Sequence, residues 1–194
     1  MVKNIDARGQ ACPKPVMMAK AAIDEGARAL TISVDNSVSA ANVTRFLTKQ
    51  GWTTEESGQA PEIVLKSRKG EGAEERIREG TLDDQSLLIA KATLGGDDQV
   101  LGEALMKAFL GTVAQRERPP KTIALMNKGV LLSLKSHSAH ESLEALRDRG
   151  TAVLVCGTCA NHFGIADAVA VGILSNMFEI TEALMAASRQ LCLG

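Results

Sequence analysis

Aromatic residues are scarce in this 194-residue chain, which has no tyrosine, one tryptophan and four phenylalanines, or 3% in all. So few rings offer little for nucleic-acid bases to stack on. An excess of one charge is also lacking, since 22 Lys and Arg residues balance 23 Asp and Glu residues and the formal net charge is -1. That balance gives no general attraction to nucleic acid or to an anionic membrane. We therefore expect no nucleic-acid partner and no membrane partner.

Long hydrophobic runs are missing as well. No apolar stretch approaches the roughly 18–20 residues that a membrane-spanning helix needs, and residues 1–6 lack the apolar core of a signal peptide. We therefore expect a cytoplasmic protein, in which thiols stay reduced. The four cysteines are too few for a disulfide scaffold in a chain of this length. They are instead expected to be catalytic, metal-binding or buried.

The most informative segment is Cys12-Pro13-Lys14-Pro15. Proline is favoured at the first helical position, so the segment predicts that Pro13 begins a helix and that Cys12 lies at or near its N-cap. The unpaired N–H groups and the positive dipole end found there stabilise a thiolate. Such surroundings lower a cysteine pKa from about 8.5 to roughly 3.5–7.5. Two flanking prolines do not suit a buried strand, so we interpret Cys12 as a nucleophile rather than a structural cysteine.

Residues 1–70 have the pattern β-α-β-α-β-β. Residues 30–34 alternate apolar and polar side chains, as a strand with one buried face does. Helices are predicted from residue 13 to about residue 25 and from about residue 37 to Gly51, which is placed to end the second one. This order predicts two helices covering one face of a four-stranded sheet, a two-layer sandwich.

Residues 71–84 differ in composition from what precedes them. With residue 70 included, the segment holds six acids, two arginines and three glycines and has almost nothing apolar to bury. We interpret residues 71–84 as a flexible charged linker. A solvent-exposed helix over residues 74–79 is the alternative.

Residues 85–194 alternate apolar strands with helices, which predicts a parallel sheet with helices on both faces, a three-layer α/β domain. Strands are expected at 86–92, 122–126, 152–155 and 168–171. One helix is expected to start at about Asp98, another at a capping box formed by Ser138 and Glu141. A last helix is expected from Asn176 through Leu191.

Three loops should meet at the carboxyl edge of this sheet, where ligands and reactive groups gather. The first is residues 93–97, the second holds Asn127, Lys128 and Gly129, and the third holds Cys156 and Cys159 in a C-x-x-C spacing. A strand-to-helix turn places backbone N–H groups near the thiols and favours thiolate, and Lys128 would add a positive charge. The alternative is a coincidental pair of small apolar residues at a strand end.

Other ligands are weakly supported. Cys156, Cys159 and His162 would supply three zinc ligands, which is not a closed structural site. The pair Gly95-Gly96 lacks the spacing of a phosphate-binding loop. We therefore predict no metal and no cofactor. Cys192, two residues from the end, is expected in a fraying tail, as a passive residue rather than a resolving thiol.

The N-terminal motif resembles a known family over residues 1–70. The pattern D-x-x-G-x-x-C-P-x-P and the β-α-β-α-β-β order are those of the TusA/SirA-like sulfur-carrier family. The residues that carry the resemblance are Asp6, Gly9, Cys12, Pro13, Pro15 and Lys20. Gln10 departs from the apolar residue of many members, at a position that touches no chemistry.

The second unit resembles a DsrE/DsrF-like domain, on the residues Asn127-Lys128-Gly129-Val130 and Cys156-Gly157-Thr158-Cys159. The two-domain order, linker included, is similar to that of YedF-type proteins, which are associated with selenium metabolism. The resemblance therefore spans nearly the whole chain.

These resemblances imply a cytosolic sulfur or selenium carrier, sulfurtransferase-like in its chemistry. Cys12 would accept a sulfane sulfur as a persulfide, or selenium as a selenosulfide, and pass it on, with Cys156 and Cys159 as candidate acceptors. A cysteine desulfurase or similar donor, a downstream acceptor protein and homo-oligomerisation through the second domain are implied. A thiol–disulfide oxidoreductase at Cys156 and Cys159 and a non-catalytic regulatory module are the alternatives.

Overall fold

The structure is a computed structural model that describes residues 2–11, 13–70, 82–96 and 98–194. The chain divides into two compact units, Met1–Ile77 and Arg78–Gly194. Cys12 and most of the predicted linker lie outside the described residues. The last two linker residues, Asp83 and Asp84, open a strand and so belong to the second sheet.

The first unit has the predicted order of elements. They are β1 (Val2–Asp6), α1 (Lys14–Asp24), β2 (Ala29–Val34), α2 (Ser37–Lys49), β3 (Trp52–Gln59) and β4 (Glu62–Lys69). The sheet order is β1-β2-β4-β3, with β1 and β2 parallel and the other pairs antiparallel. The expected β-α-β-α-β-β fold is therefore confirmed.

Alternating side chains explain how this unit packs. Leu30, Ile32 and Val34 of β2 are fully buried, while the residues between them are partly exposed. Val16 of α1 and Val43 of α2 are buried as well, as the apolar face of an amphipathic helix requires. The helices and one sheet face thus share a core.

The second unit holds a five-stranded sheet of order β8-β7-β6-β5-β9 in which every pair is parallel. The strands are β5 (Asp83–Ile89), β6 (Pro120–Leu125), β7 (Ala152–Cys156), β8 (Ile173–Ser175) and β9 (Arg189–Leu193). The helices are α3 (Gln99–Ala114), α4 (His140–Asp148), α5 (Gly157–His162) and α6 (Met177–Met185), with 3-10 turns at Asn127–Ser133 and Ala166–Ala168. The predicted parallel α/β domain is confirmed. Within the described residues, no helix has the length and apolar character needed to cross a membrane.

Two local predictions in this unit are wrong. The helix α4 begins at His140 after Ala139, and no side chain caps it, so Ser138 and Glu141 form no capping box. The expected strand at 168–171 begins instead at Ile173. The reason is Gly172, whose φ of 94° is left-handed and interrupts an extended backbone before the strand begins.

The C-terminal segment also differs from the prediction. Helix α6 starts after Asn176, whose side chain accepts a hydrogen bond from the Glu179 amide as expected of a cap, but it ends at Met185. Residues Arg189–Leu193 then pair with the edge strand β5, with Cys192 opposite Leu88. Hydrogen bonding to an open sheet edge favours a strand here over a longer helix. Cys192 therefore lies in a strand and not in a fraying tail.

Candidate thiol sites

Helix α1 begins at Lys14, one residue later than predicted. Pro13 is the residue before the helix, with φ −98° and ψ 16°, and Pro15 takes the second helical position, where a missing N–H costs little. The Lys14 amide donates a hydrogen bond to the Ala11 carbonyl at 2.9 Å. Cys12 lies outside the described residues, and the sequence places it between these two flanks. Pro13, Lys14 and Pro15 thus form the start of a helix, as expected.

The loop before Cys12 is tied to the rest of its sheet. The Gly9 amide donates to Oδ2 of Asp35 at 2.7 Å, and Gly9 has a φ of 68°, in the left-handed region that favours glycine. Two residues before Gly9, the Ala7 amide donates to the Ser33 carbonyl at 2.8 Å. The predicted supporting role of Gly9 therefore has a geometric basis, a left-handed turn held by a carboxylate.

Asp35 is a residue that sequence reasoning missed. The hydrogen bond from the Gly9 amide holds the pKa of its carboxyl below the ordinary value. Its Oδ1 accepts from the Asn36 side chain at 2.7 Å, and Asn36 in turn caps α2 through the Ser39 amide. Asp35 follows β2, and only the parallel pairing of β1 with β2 brings it beside the loop. Its position after a buried strand was the one available signal.

Asp6 is paired with Arg8. Its two carboxylate oxygens accept from Nε and Nη2 of Arg8 at 2.9 and 2.8 Å, and Oδ1 also accepts from the Arg8 amide at 3.2 Å. These bonds lower the pKa of Asp6 to about 2. Asp6 is therefore held ionised at neutral pH, so it positions Arg8 and does not donate a proton. Arg8 is a second residue that the motif did not reveal.

Lys20 is exposed on α1. It lies in the second turn of α1 and forms an ion pair with Asp24 at 2.8 Å, four residues further along the same helix. Such exposed pairs contribute little to stability. Its predicted role as a supporting residue remains a prediction.

In the second unit, the loops after β6 and β7 meet as predicted. The Asn127 amide donates a hydrogen bond to Sγ of Cys159 at 3.2 Å. Asn127 adopts a φ of 44°, which is left-handed and costs a non-glycine residue conformational energy. Cys156 is the last residue of β7 and Cys159 lies in the first turn of α5. The sheet edge therefore brings Asn127 to the C-x-x-C turn.

Gly129 allows this approach. Its amide donates to the Met126 carbonyl at 2.8 Å and to the Ala90 carbonyl at 3.3 Å. A Cβ at Gly129 would lie 2.1 Å from the Ile89 carbonyl oxygen, so no larger residue fits without a backbone shift. Lys128 is exposed, and its charge is not among the influences that shift the Cys156 pKa.

The two thiols of the turn differ. Cys156 is 2% exposed, and burial raises the pKa of its thiol to about 11, aided by the neighbouring Cys159 side chain and opposed by the Thr158 and Cys159 amides. Cys159 is only partly buried. The expectation that the turn favours a thiolate is therefore wrong for Cys156, because desolvation outweighs the backbone N–H groups.

In the part of the chain that the structure describes, no group of three or more His, Cys, Asp or Glu residues is placed to hold a metal ion. His162 ends α5 and its ring packs edge-on against Phe163, with centroids 5.0 Å apart. Cys156, Cys159 and Cys192 are free thiols.

Comparison with known proteins now defines the first unit. A family model described as Sulfurtransferase TusA matches residues 3–67. A solved structure of a SirA-like protein from Desulfitobacterium hafniense is 35% identical, and the match covers 37% of this chain and 100% of that one, with a TM-score of 0.33. Residues 3–67 belong to the TusA family. This TusA domain contains the loop around Gly9, the C-P-K-P segment and both helices of the first unit.

Two further solved structures are more distant. The YchN protein of E. coli is 18% identical, with a TM-score of 0.41, over 56% of this chain and 98% of that one. A conserved protein of unknown function from Bacteroides thetaiotaomicron is 15% identical, with a TM-score of 0.42, over 57% and 95%. Likeness at this level assigns no function. A comparison with curated proteins gives no match.

Proposed function

We propose that the protein is a sulfur carrier that loads a persulfide on Cys12 of its TusA domain. The family indicates a sulfur-carrier or sulfurtransferase role, in which sulfur passes to a partner protein. The Cys12 thiolate would attack the outer sulfur of a donor persulfide, form a new S–S bond and break the old one. The inner sulfur of the donor leaves as a thiolate with the electron pair, so the step needs no external oxidant or reductant.

The observation that carries this proposal is that the loop leading into α1 is held by hydrogen bonds. The Gly9 turn, fixed by Asp35, and the helix start at Lys14 flank the Cys12 position in sequence. A carrier needs a nucleophilic and reachable thiol more than it needs a general base. Asp6, the nearby carboxylate of the motif, is already held by Arg8 and is not poised to take a proton.

The donor and the first acceptor are further parts of the proposal. A cysteine desulfurase would supply the donor persulfide. The C-x-x-C thiols of the second unit, interpreted as a DsrE-like domain, would receive the sulfur from Cys12 before a downstream acceptor protein takes it. Its free cysteines at a parallel sheet edge support this order. Assembly of the second unit into a homo-oligomer would bring several such thiols together.

The same chemistry transfers selenium as well as sulfur. A selenosulfide on Cys12 would form and break by the same nucleophilic exchange, and the resemblance to YedF-type proteins favours a role in selenium metabolism. Sulfur- and selenium-resolved mass spectrometry of the protein isolated from its host, with each cysteine mapped, would decide between them. Selenium on Cys12 supports the selenium role, and sulfur alone contradicts it.

The loading step is tested by intact mass after incubation with a cysteine desulfurase and cysteine. We expect the wild type and the matched control Cys192→Ala to gain sulfur on the TusA domain. We expect Cys12→Ala to gain none at that site. Undiminished addition to the TusA domain of Cys12→Ala, or no addition to the wild type, would contradict the proposal.

A thiol–disulfide oxidoreductase at Cys156 and Cys159 is a second candidate, favoured by the contact between the two side chains. It is the weaker one, because the raised Cys156 pKa leaves little thiolate to close a disulfide near neutral pH. Absence of a Cys156–Cys159 disulfide in oxidising buffers would exclude it. A regulatory module independent of thiol chemistry would instead retain function in Cys12→Ser.

A further inference from the structure

The Cys159 sulfur is held from two sides. The Asn127 amide donates to it at 3.2 Å across the sheet edge, and the Cys156 side chain lies within hydrogen-bonding reach of it. A backbone N–H aimed at a sulfur fixes its position, and a hydrogen bond to a charged acceptor is stronger than one to a neutral acceptor. The Thr158 and Cys159 amides also donate to the Cys156 sulfur, but Cys156 is almost fully buried and burial outweighs them, so its thiol stays protonated.

The Asn127 donor is built into the fold. Its left-handed φ of 44° turns the chain just after Met126, whose amide donates to the Ile89 carbonyl at 3.0 Å. Two residues later, the absence of a side chain at Gly129 lets the loop lie against the same carbonyl. Strained backbone of this kind persists only where the surrounding structure fixes it. The amide that points at Cys159 is therefore fixed by the end of β5.

We propose that Cys159, rather than Cys156, receives the sulfane sulfur in the second unit, with the Asn127 amide and the Cys156 thiol as its two hydrogen-bond donors. The further claim that this sulfur comes from Cys12 rests on the proposed function. Cys156 is then a positioning residue that remains a thiol. Because it stays protonated, it does not attack the Cys159 persulfide, which therefore persists long enough to be passed on.

The transfer balances without a further reactant. The Cys159 thiolate attacks the outer sulfur of the Cys12 persulfide, the Cys12–S bond to that sulfur breaks, and Cys12 leaves as a thiolate with the electron pair. The products are a Cys159 persulfide and a reduced Cys12. With tetrasulfide as a chemical donor, the same attack on its terminal sulfur forms the Cys159 persulfide and expels trisulfide.

Tetrasulfide separates this inference from the proposed function. The full-length variant Cys12→Ala is treated with sodium tetrasulfide, and each cysteine is then mapped by peptide mass spectrometry. We expect persulfide on Cys159 and far less on Cys156. Persulfide mainly on Cys156, or on neither thiol, overturns the inference. That result does not depend on whether Cys12 loads in the wild type. Loading of Cys159 by tetrasulfide together with no loading of wild-type Cys12 by a desulfurase overturns only the proposed function.

The two donors are tested by matched pairs in the same Cys12→Ala background. Asn127→Gly keeps the left-handed turn and the amide, whereas Asn127→Val disfavours that turn. We expect Asn127→Val to slow Cys159 loading about tenfold or more, the loss expected for a hydrogen bond to a charged sulfur, and Asn127→Gly to retain the rate. Equal loading rates in the two variants would contradict the role of the amide.

Cys156 is tested by Cys156→Ser, which keeps a donor, and Cys156→Ala, which removes it. We expect the Cys159 persulfide to decay faster in Cys156→Ala than in Cys156→Ser, with circular dichroism showing that both fold. A longer-lived persulfide in both variants than in the parent would show that Cys156 resolves the persulfide, and would overturn its assignment as a positioning thiol.

Discussion

The Gly9 amide and the Asp35 carboxylate are joined by a 2.7 Å hydrogen bond that crosses from the loop after β1 to the end of β2. The bond fixes a left-handed turn three residues before Cys12 and shares its carboxylate with Asn36, the cap of α2. The loop that precedes the TusA-domain cysteine in sequence is therefore held by a residue far away in the chain.

Asp35 is expected to matter for sulfur loading. Replacing it with alanine removes the acceptor for the Gly9 amide, while Asp35→Asn keeps a neutral one. We predict that Asp35→Ala slows desulfurase-dependent loading of Cys12 about tenfold, the loss of one charge-assisted hydrogen bond, and that Asp35→Asn slows it less. Loading rates by intact mass measure this. Equal rates in wild type and Asp35→Ala would contradict the role of Asp35.

Gly9 has a matched control within the same unit. Gly9 and Gly26 have φ values of 68° and 85°, and an added Cβ would meet nothing within 4 Å at either position. Alanine should therefore cost each about 1–2 kcal/mol of unfolding free energy through backbone conformation alone. Only Gly9→Ala should also slow Cys12 loading. Denaturant titration and loading rates check both, and equal slowing in Gly26→Ala would show a general loss of stability instead.

Because Arg8 lowers the pKa of Asp6, we expect the Asp6 carboxyl to titrate only in strong acid. Hydrogen bonds from Arg8 lower the pKa of Asp6 to about 2, so its contribution to stability is present above the ordinary carboxyl pKa and is lost as the pH falls through about 2. In Arg8→Ala the Asp6 pKa should return toward about 4. NMR titration of the Asp6 carboxyl measures both midpoints, and the same midpoint in the two proteins would exclude Arg8 as the cause.

The raised pKa of Cys156 leads us to expect a loss of stability at alkaline pH. Burial raises its pKa to about 11, so its stabilising effect is complete below the pKa of the unfolded thiol, near 9, and is lost as the pH rises toward 11. The loss is at most about 3 kcal/mol over that range. Urea titrations from pH 8 to 11 should show a steeper decline in the wild type than in Cys156→Ala. Parallel declines would mean that the thiol titrates at its ordinary pKa.

The sequence patterns correctly predicted those elements that depend on neighbouring residues alone. The alternation in β2 and the prolines around Lys14 gave the strand and the helix start to within one residue. Asp35 and Arg8 were missed because their roles depend on strand pairing and on a side-chain contact that no periodicity reveals. The parallel sheet of the second unit followed from its apolar strands in the same way.

The misjudged features of the second unit share a tertiary cause. The segment containing Cys192 has a helical apolar period, but the open edge of β5 makes it a strand. The turn at Cys156 has the backbone donors expected to favour a thiolate, but burial prevails there. Edge availability and desolvation depend on the assembled sheet, so the sequence alone did not indicate either.

The relay from Cys12 is tested most directly by a timed label. The wild type and Cys12→Ala are incubated with a desulfurase and cysteine carrying a heavy sulfur isotope, quenched at intervals by alkylation and mapped by peptide mass spectrometry. We predict that heavy sulfur reaches the Cys12 peptide first and the Cys159 peptide afterwards, and that Cys12→Ala labels neither. Labelling of Cys159 before Cys12, or at an undiminished rate in Cys12→Ala, would contradict Cys12 as the loading site of the relay.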